Sequence, residues 1–305
     1  FTFMDMTMNA VSIAFVNTAF RFVTALALLP AIGLLEKLAC ALIKGGEEQT
    51  HADAFDRLDE RFLAHPALAV EQSRLTVEDM GKTAQSNLLT SVALLRDYSD
   101  EAFARVESEE ELVDQYEDRL GTYLMRITER ELTREENESV SKYLHTLSDF
   151  ERISDHAMNI AEAAREISQK KLRFTGAAEH ELDVLSAAVQ EILDVASRAF
   201  FANDVELAYR VEPLEERIDV LCDELKLHHV ERLQSGDCSL ENGFVFNDLL
   251  ANFERVADHS SNLAIATMEL RSDRYDTHEY VINLKELHSH RFDEYYEEYA
   301  RKYSV

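Results

Sequence analysis

The sequence contains no tryptophan and little glycine, proline or cysteine: 8 Gly, 3 Pro and 3 Cys in 305 residues. Because glycine and proline mark tight turns, their scarcity disfavours a sheet-rich fold. Ala, Leu, Glu, Asp and Arg dominate instead, as in long helices. Cys40, Cys222 and Cys238 are odd in number and lack paired spacing, which argues against a disulfide framework or a zinc site and favours a reducing compartment. The composition predicts an all-α protein.

Basic residues are also scarce: 31 Lys plus Arg are present against 59 Asp plus Glu, a formal net charge of −28. A field of this sign repels nucleic acids and anionic lipid head groups, so we expect no nucleic-acid partner. It favours cationic partners, including metal ions. Because most acidic stretches of helical proteins are solvated surface, the position of the carboxylates rather than their number must identify a metal site.

Several motifs of catalytic sites are absent. The sequence has no Gly-rich phosphate loop, no Ser-His-Asp order and no cysteine nucleophile motif, and its eleven histidines are scattered. The Glu-x-x-His pairs that a ferritin-type di-iron oxidase requires are missing too. We therefore predict that this protein is not an enzyme.

A long apolar run covers residues 6–35, where Arg21 is the only charged residue. The run exceeds the roughly 20 residues that cross a bilayer core and predicts a membrane helix. Arg21, Asn9 and Asn17 would prefer a neighbouring helix or a wet cavity to lipid, so we expect this helix to belong to a bundle. A buried helix of a soluble protein and an export signal are the alternatives, although residues 1–20 lack the basic start of a signal. Because the chain begins at Phe1, we expect more membrane protein upstream.

Two segments of the chain are nearly the same. FERISDHAMNIA at 150–161 and FERVADHSSNLA at 253–264 are identical at seven of twelve positions and lie 103 residues apart. A duplicated unit of about one hundred residues follows. Breaks near 99, 133, 175, 204, 238 and 274 leave three helices per repeat, as in an up-down-up bundle.

The predicted organisation is one N-terminal membrane helix, two tandem three-helix bundles and a C-terminal tail helix. We expect a membrane segment at 1–44, a linker at 45–75, repeat one at 76–173, repeat two at 174–272 and a helical tail at 273–305. Predicted helix starts are Thr76 with Asp79, Thr133 with Glu136 and Asp276 with Glu279.

Two stripes of residues at helical spacing indicate packing rather than cofactor binding. The first is apolar and consists of Phe150, Ile153, Ala157, Ile160, Ala164 and Ile167. The second is the tyrosine-rich pattern of the tail, which predicts a face packed on the bundle.

Acidic residues recur four positions apart on the second and third helices of each repeat. Such columns share a helix face, and like charges at this spacing cost roughly 0.2–0.5 kcal/mol per pair. If the two helices pack antiparallel, four or five carboxylates meet, a site suited to magnesium, manganese or iron. The columns are Glu110, Asp114 and Asp118; Glu151, Asp155 and Asn159; Glu215, Asp219 and Asp223; and Glu254, Asp258 and Asn262.

Other roles for these residues stay open. Ion pairs of the carboxylates with Arg119, Arg152, Arg217 and Arg255 would explain the columns without metal, although exposed pairs contribute little stability. His156 and His259 follow the aspartates directly, as second ligands or as polar flanking residues, and we favour flanking residues. The duplication of the pattern favours the metal interpretation.

ERISDHAMNIAE at 151–162 and ERVADHSSNLA at 254–264 resemble the third-helix signature of PhoU domains, which consist of two three-helix repeats with E(D)xxxD metal motifs. Residues 58–74, LDERFLAHPALAVEQSR, and the closing residues 286–304 are similar to the cytoplasmic tail of bacterial Na/Pi cotransporter family proteins. Residues 15–38 are similar to the last transmembrane helix of that family. The paired glutamine-serine transport motifs of the family are absent from this sequence.

The resemblance implies the C-terminal part of a sodium-dependent phosphate cotransporter, in the bacterial inner membrane with residues 45–305 in the cytoplasm. It implies a regulatory PhoU-like domain whose partners are the upstream transporter domain, the membrane and, through that domain, sodium and phosphate; a homodimer is possible. It implies divalent or iron-type metal ions at Glu110, Asp114, Glu151, Asp155, Glu215, Asp219, Glu254 and Asp258. The alternative is a membrane-tethered PhoU-like adaptor that docks on a phosphate-responsive kinase or transporter.

Overall fold

The computed structural model describes residues 10–28, 55–269 and 289–305. The chain divides into two units, Phe1–Asp53 and Ala54–Val305. Every regular element in these described ranges is helical, as the composition predicts.

The first unit contains helix α1, Ala10–Leu28. Phe15, Phe20 and Phe22 are exposed on it. Among the described residues, no helix combines the length and the apolar character that crossing a membrane requires. The predicted membrane helix covers residues beyond both ends of α1 and remains unconfirmed.

The second unit begins with a short 3-10 helix, Glu60–Ala64. The helices that follow it are α2, Pro66–Leu94; α3, Asp100–Thr128; α4, Arg134–Lys170; α5, Gly176–Ala202; α6, Val205–Ala208; α7, Val211–Ser235; α8, Leu240–Glu269; and α9, Ser289–Lys302. Repeat one consists of α2, α3 and α4, and repeat two of α5, α7 and α8 with the single turn of α6 between them. The helix breaks lie where the sequence predicts them as far as residue 240.

The helix starts were predicted with mixed success. Thr133 and Glu136 form the expected capping box at the start of α4. Thr76, however, does not start a helix: it lies buried inside α2, where its hydroxyl donates to the carbonyl of Gln72. The reason is Pro66, whose ring favours the first turn and begins α2 ten residues earlier. The start at Asp276 falls outside the described residues.

The two repeats share one main hydrophobic core, and repeat one has a second, small cluster of its own around Phe103. At their junction the ring of Phe150 in α4 packs between Phe200 and Phe201 in α5, with centroid distances of 5.5 and 6.0 Å. Gly81 in α2 makes room for these rings, because a Cβ at that position would lie 2.6 Å from Phe201 Cζ. The apolar stripe of α4 is buried as predicted, with Ile167 at its margin.

Residues at the start of this unit pack on repeat one. The ring of Phe55 lies 4.9 Å from that of Tyr116 and beneath the guanidinium of Arg119. Arg57 pairs with Asp79, and Tyr123 donates to the carbonyl of Asp59. Thus residues 55–65, which the sequence assigns to the linker, lie against the bundle, and residues 66–75 form the first turns of α2.

The tail helix α9 packs on repeat two. Tyr299 and Tyr303 are buried there, which confirms that the tyrosine stripe is a packing face. The buried Arg217 of α7 donates to the carbonyl of Tyr303 at 2.7 and 3.1 Å. Lys302 pairs with Glu191 of α5. The tail therefore holds the outer surface of α7, the helix that carries the acidic column of repeat two.

Candidate metal centre

Each repeat brings three carboxylates together at equivalent positions. In repeat one, Glu110 and Asp114 of α3 meet Asp155 of α4, and one oxygen from each lies within 4.8 Å of the others. The i, i+4 spacing on α3 puts the first two on one face, and α4 supplies the third. We call this group cluster one.

Burial and mutual repulsion perturb the acids of cluster one. Burial raises the pKa of Glu110, and the charges of Asp114 and Asp155 raise it further. The pKa of Asp114 is raised in the same way, first by burial and then by Asp155. Carboxylates held in this arrangement favour either a proton or a cation.

Glu151 belongs to the predicted ligand set but lies beside cluster one rather than within the close group. Burial raises its pKa to about 7, and repulsion from Asp155 and Glu117 adds to this effect. Glu117 was not predicted, because the four-residue spacing of Glu110 and Asp114 continues to Asp118 instead. Its signal in the sequence is its place seven residues after Glu110, two turns along the same side of the helix.

In repeat two, Glu215 and Asp219 of α7 meet Asp258 of α8, again within 4.8 Å, and this group is cluster two. Oδ1 of Asp219 is buried and accepts no hydrogen bond from any described residue. Burial raises the pKa of Asp219 to about 6, and Glu254 and Asp258 raise it further. An acceptor oxygen buried without a donor fits a cation ligand, because otherwise its desolvation is uncompensated.

Glu254 also lies outside the close group. Its carboxylate forms an ion pair with Lys226 Nζ at 2.9 Å, and the same ammonium pairs with Asp223 at 3.3 Å. Of the eight predicted ligands, therefore, three in each repeat converge and one in each repeat flanks the group.

The arginines divide between two roles. Arg152 pairs with Asp155 at 3.2 Å, and Arg255 pairs with Asp258 at 3.0 Å. Arg119 instead covers the ring of Phe55, and Arg217 binds the tail. Because Arg152 and Arg255 are more than half exposed, these ion pairs are weak and do not compete strongly with a divalent ion.

His156 and His259 lie between the two repeats. Their rings stack with centroids 5.8 Å apart. Nδ1 of His156 is 2.9 Å from Asn252 Oδ1, and Nδ1 of His259 is 3.0 Å from Asp149 Oδ1. Asn252 and Asp149 occupy equivalent positions in the two repeats, so each histidine binds the opposite repeat in the same way. This arrangement supports flanking histidines, and both partners were missed because they lie immediately before the duplicated segments, which begin at Phe150 and Phe253.

The donor sets consist entirely of carboxylate oxygens, which suit hard cations such as magnesium, manganese or iron. A cation bound there would join the second helix of each repeat to the third. Each cluster gathers three carboxylates, of which one aspartate pairs with an exposed arginine. The chemistry of these residues therefore fits metal binding, and their role as ligands remains a prediction.

Comparisons with known proteins agree with this architecture. The sequence model of the PhoU domain matches residues 77–164 and 182–267. A curated relative, the phosphate-specific transport system accessory protein PhoU homolog 1 of Thermotoga maritima, is 33% identical over 116 residues. The match covers 38% of this chain and 49% of the relative, so the chain spans about half the length of that protein.

Two solved structures have a similar fold. The crystal structure of PhoU from Pseudomonas aeruginosa superposes with a TM-score of 0.63 at 21% identity, covering 66% of this chain and 96% of that one. The phosphate transport system regulatory protein PhoU from Streptococcus pneumoniae gives 0.62 at 16% identity, covering 70% and 99%. At these identities the likeness establishes the helical-bundle fold alone.

Proposed function

Because the chain belongs to the PhoU domain family, we propose that its second unit regulates phosphate transport and binds metal ions at its two acidic clusters. The observation that carries the metal proposal is the convergence of Glu110, Asp114 and Asp155 in repeat one and of their equivalents in repeat two. Two separate groups with the same residue types at the same positions are hard to attribute to a chance meeting of surface acids.

We further propose that this unit is the cytoplasmic tail of a sodium-dependent phosphate cotransporter in the bacterial inner membrane. The apolar run at 6–35 and the cotransporter-like segments at 58–74 and 286–304 support this assignment. The transporter domain of the same protein is then the partner, and sodium and phosphate pass through that domain. The tail biases the transporter by binding one of its conformations better than the other.

Metal content tests the ligand assignment. We expect the purified full chain to retain magnesium, manganese or iron at about two sites per chain, and Asp155→Asn with Asp258→Asn to remove it. Asp118→Asn with Asp223→Asn is the matched control, because these exposed acids lie on the same columns outside the close groups. Elemental analysis after dialysis gives the stoichiometry.

The control should keep its metal. Equal metal content in the two double variants would refute the ligand assignment. Far-UV circular dichroism checks that all proteins remain equally helical.

A second candidate is the adaptor, in which the acidic surface docks on a basic partner such as a phosphate-responsive kinase or transporter. The ion pairs of Arg152 and Arg255 with cluster carboxylates, and of Lys226 with the flanking Glu254, favour it, because these acids already bind cationic side chains without metal. A wild-type chain that stays metal-free in millimolar manganese or magnesium would support this alternative.

A further inference from the structure

A cavity of about 620 Å³ lies at the junction of the two repeats, separate from the acidic clusters. Its walls come from the C-terminal ends of α2 and α4, the connection at 171–175 and the first turns of α5. Small-molecule sites typically occupy about 300–1,000 Å³, so the cavity has the size of a ligand site.

The inner wall of the cavity is apolar and partly aromatic. Leu94 and Leu182 are buried there, and Leu172 packs beside them. The rings of Tyr98 and Phe174 also line the cavity. Such a surface binds the flat, apolar part of a ligand.

The rim of the cavity carries an unusual group of cations for a chain of charge −28. Arg96, Lys171 and Arg173 line it, together with the carboxylates of Glu179 and Asp183. Arg96 pairs with Asp183 at 2.6 Å, whereas Lys171 and Arg173 form no ion pair with any described residue. The rim therefore has two cationic side chains available for an anion.

The C-terminal ends of α2 and α4 meet the cavity, and several of their last carbonyls accept hydrogen bonds within the chain. The amide of Leu172 donates to the carbonyl of Ile167 at 3.0 Å, and that of Lys171 donates to the carbonyl of Ser168 at 3.3 Å. At α2, the amide of Leu95 donates to the carbonyl of Val92. These carbonyls are thus already bonded within the chain.

We propose that this cavity binds a small amphipathic anion of the mononucleotide type, with its ring against Phe174 and Tyr98 and its phosphate at Lys171 and Arg173. Inorganic phosphate alone would leave the apolar wall uncovered, and an uncharged nucleoside would leave the two cations without a partner. A ligand there contacts both repeats at once. This site does not depend on metal binding at the clusters.

Equilibrium dialysis of the full chain with AMP, adenosine and inorganic phosphate tests this site. We expect AMP to bind at one site per chain, about tenfold or more tighter than adenosine or phosphate. Absence of AMP binding, or adenosine binding as tight as AMP binding, would overturn the proposal.

The rim cations can be removed with little effect on the backbone. Lys171 has the left-handed conformation, with φ of 54°, which asparagine also adopts. Lys171→Asn with Arg173→Gln should weaken AMP binding about tenfold or more. The matched control, Arg130→Gln with Arg198→Gln, removes two exposed cations elsewhere and should leave AMP affinity unchanged. Equal affinities in the two double variants would contradict the proposal.

A second variant tests the cavity itself. Ser168 lines the cavity and is exposed, so Ser168→Phe adds a ring at the cavity wall without disturbing the core and leaves Lys171 and Arg173 in place. AMP binding should be lost in this variant. If Ser168→Phe binds AMP as the wild type does, the nucleotide is bound elsewhere and the assignment is wrong.

Discussion

Cluster one and cluster two have the same three ligand positions but different surroundings. Lys226 reaches Glu254 at 2.9 Å in repeat two, whereas the equivalent position in repeat one is Gly121. Glu151, the equivalent of Glu254, pairs with Arg152 at 3.4 Å and with no lysine of the described residues, and burial raises its pKa to about 7. The two repeats therefore share the carboxylates but differ in whether a lysine stands beside the flanking glutamate. We expect cluster one to bind a metal ion more tightly than cluster two.

The largest expected difference between the repeats concerns their core phenylalanines. Phe150 and Phe253 are equivalent and both fully buried, but only Phe150 packs against described rings of the other repeat. Phe150→Ala should lower the free energy of unfolding by about 3–5 kcal/mol, because it empties the junction. Urea unfolding should show a smaller loss for Phe253→Ala, since aromatic pairs add about 0.5–1.5 kcal/mol. Equal losses would mean that the ring contacts at the junction add nothing to the free energy of unfolding.

Moving the lysine from repeat two to repeat one should make cluster two, rather than cluster one, the tighter metal site. Gly121→Lys supplies an ammonium beside Glu151, and a Cβ there would lie 3.8 Å from Leu147 Cδ1, an ordinary van der Waals contact. We expect it to weaken manganese binding at cluster one about tenfold, and Lys226→Met to strengthen binding at cluster two by a similar factor. Isothermal titration calorimetry measures both sites.

Gly121→Ala separates this charge effect from the effect of helix propensity. Alanine stabilises α3 as lysine does but adds no charge, so the manganese affinity of cluster one should stay at the wild-type value. A loss of affinity in Gly121→Ala as large as that in Gly121→Lys would show that the backbone, not the ammonium, sets the difference.

The smallest expected effect is a pH dependence of stability in the metal-free chain. Glu151 has a pKa of about 7 in the folded protein against 4.5 as its ordinary value. Between these values the folded state binds more protons than the unfolded chain, so this residue makes the free energy of unfolding fall as pH rises. Glu151→Gln should therefore gain stability relative to wild type between about pH 5 and pH 8.

Urea unfolding at several pH values, with a chelator present, measures this difference. Glu231→Gln, at an exposed acid of α7 outside both clusters, should follow the wild type at every pH. If Glu151→Gln also follows the wild type, Glu151 is already ionised at low pH, and the repulsion argued for cluster one is absent.

Much of the fold could be predicted because it depends on local sequence patterns. The three-residue and four-residue spacing from Phe150 to Ile167 predicts the buried face of α4, and the capping box at Thr133 predicts its start. Thr76 was misleading, because a Thr with an acid three residues later also occurs inside a helix. There, Pro66 and burial decide where the helix begins.

The convergence of carboxylates could be predicted only in part. The four-residue spacing puts Glu110 and Asp114, and likewise Glu215 and Asp219, on one face of a helix. It does not specify the rotation of the third helix of each repeat about its own axis, which decides which of its acids faces them. That rotation brings Asp155 into the group and leaves Glu151 beside it. Contacts between the repeats, such as His259 with Asp149, depend on residues about one hundred positions apart, and no local pattern specifies them.

The shared core has a consequence for the duplication itself. Phe150 of repeat one is covered by Phe200 and Phe201 of repeat two, so a single repeat would expose this apolar face to water. An isolated repeat would therefore gain stability by pairing with a second copy of itself. Joined in one chain, the repeats cover this face without a second molecule, so we expect them to unfold in one cooperative transition.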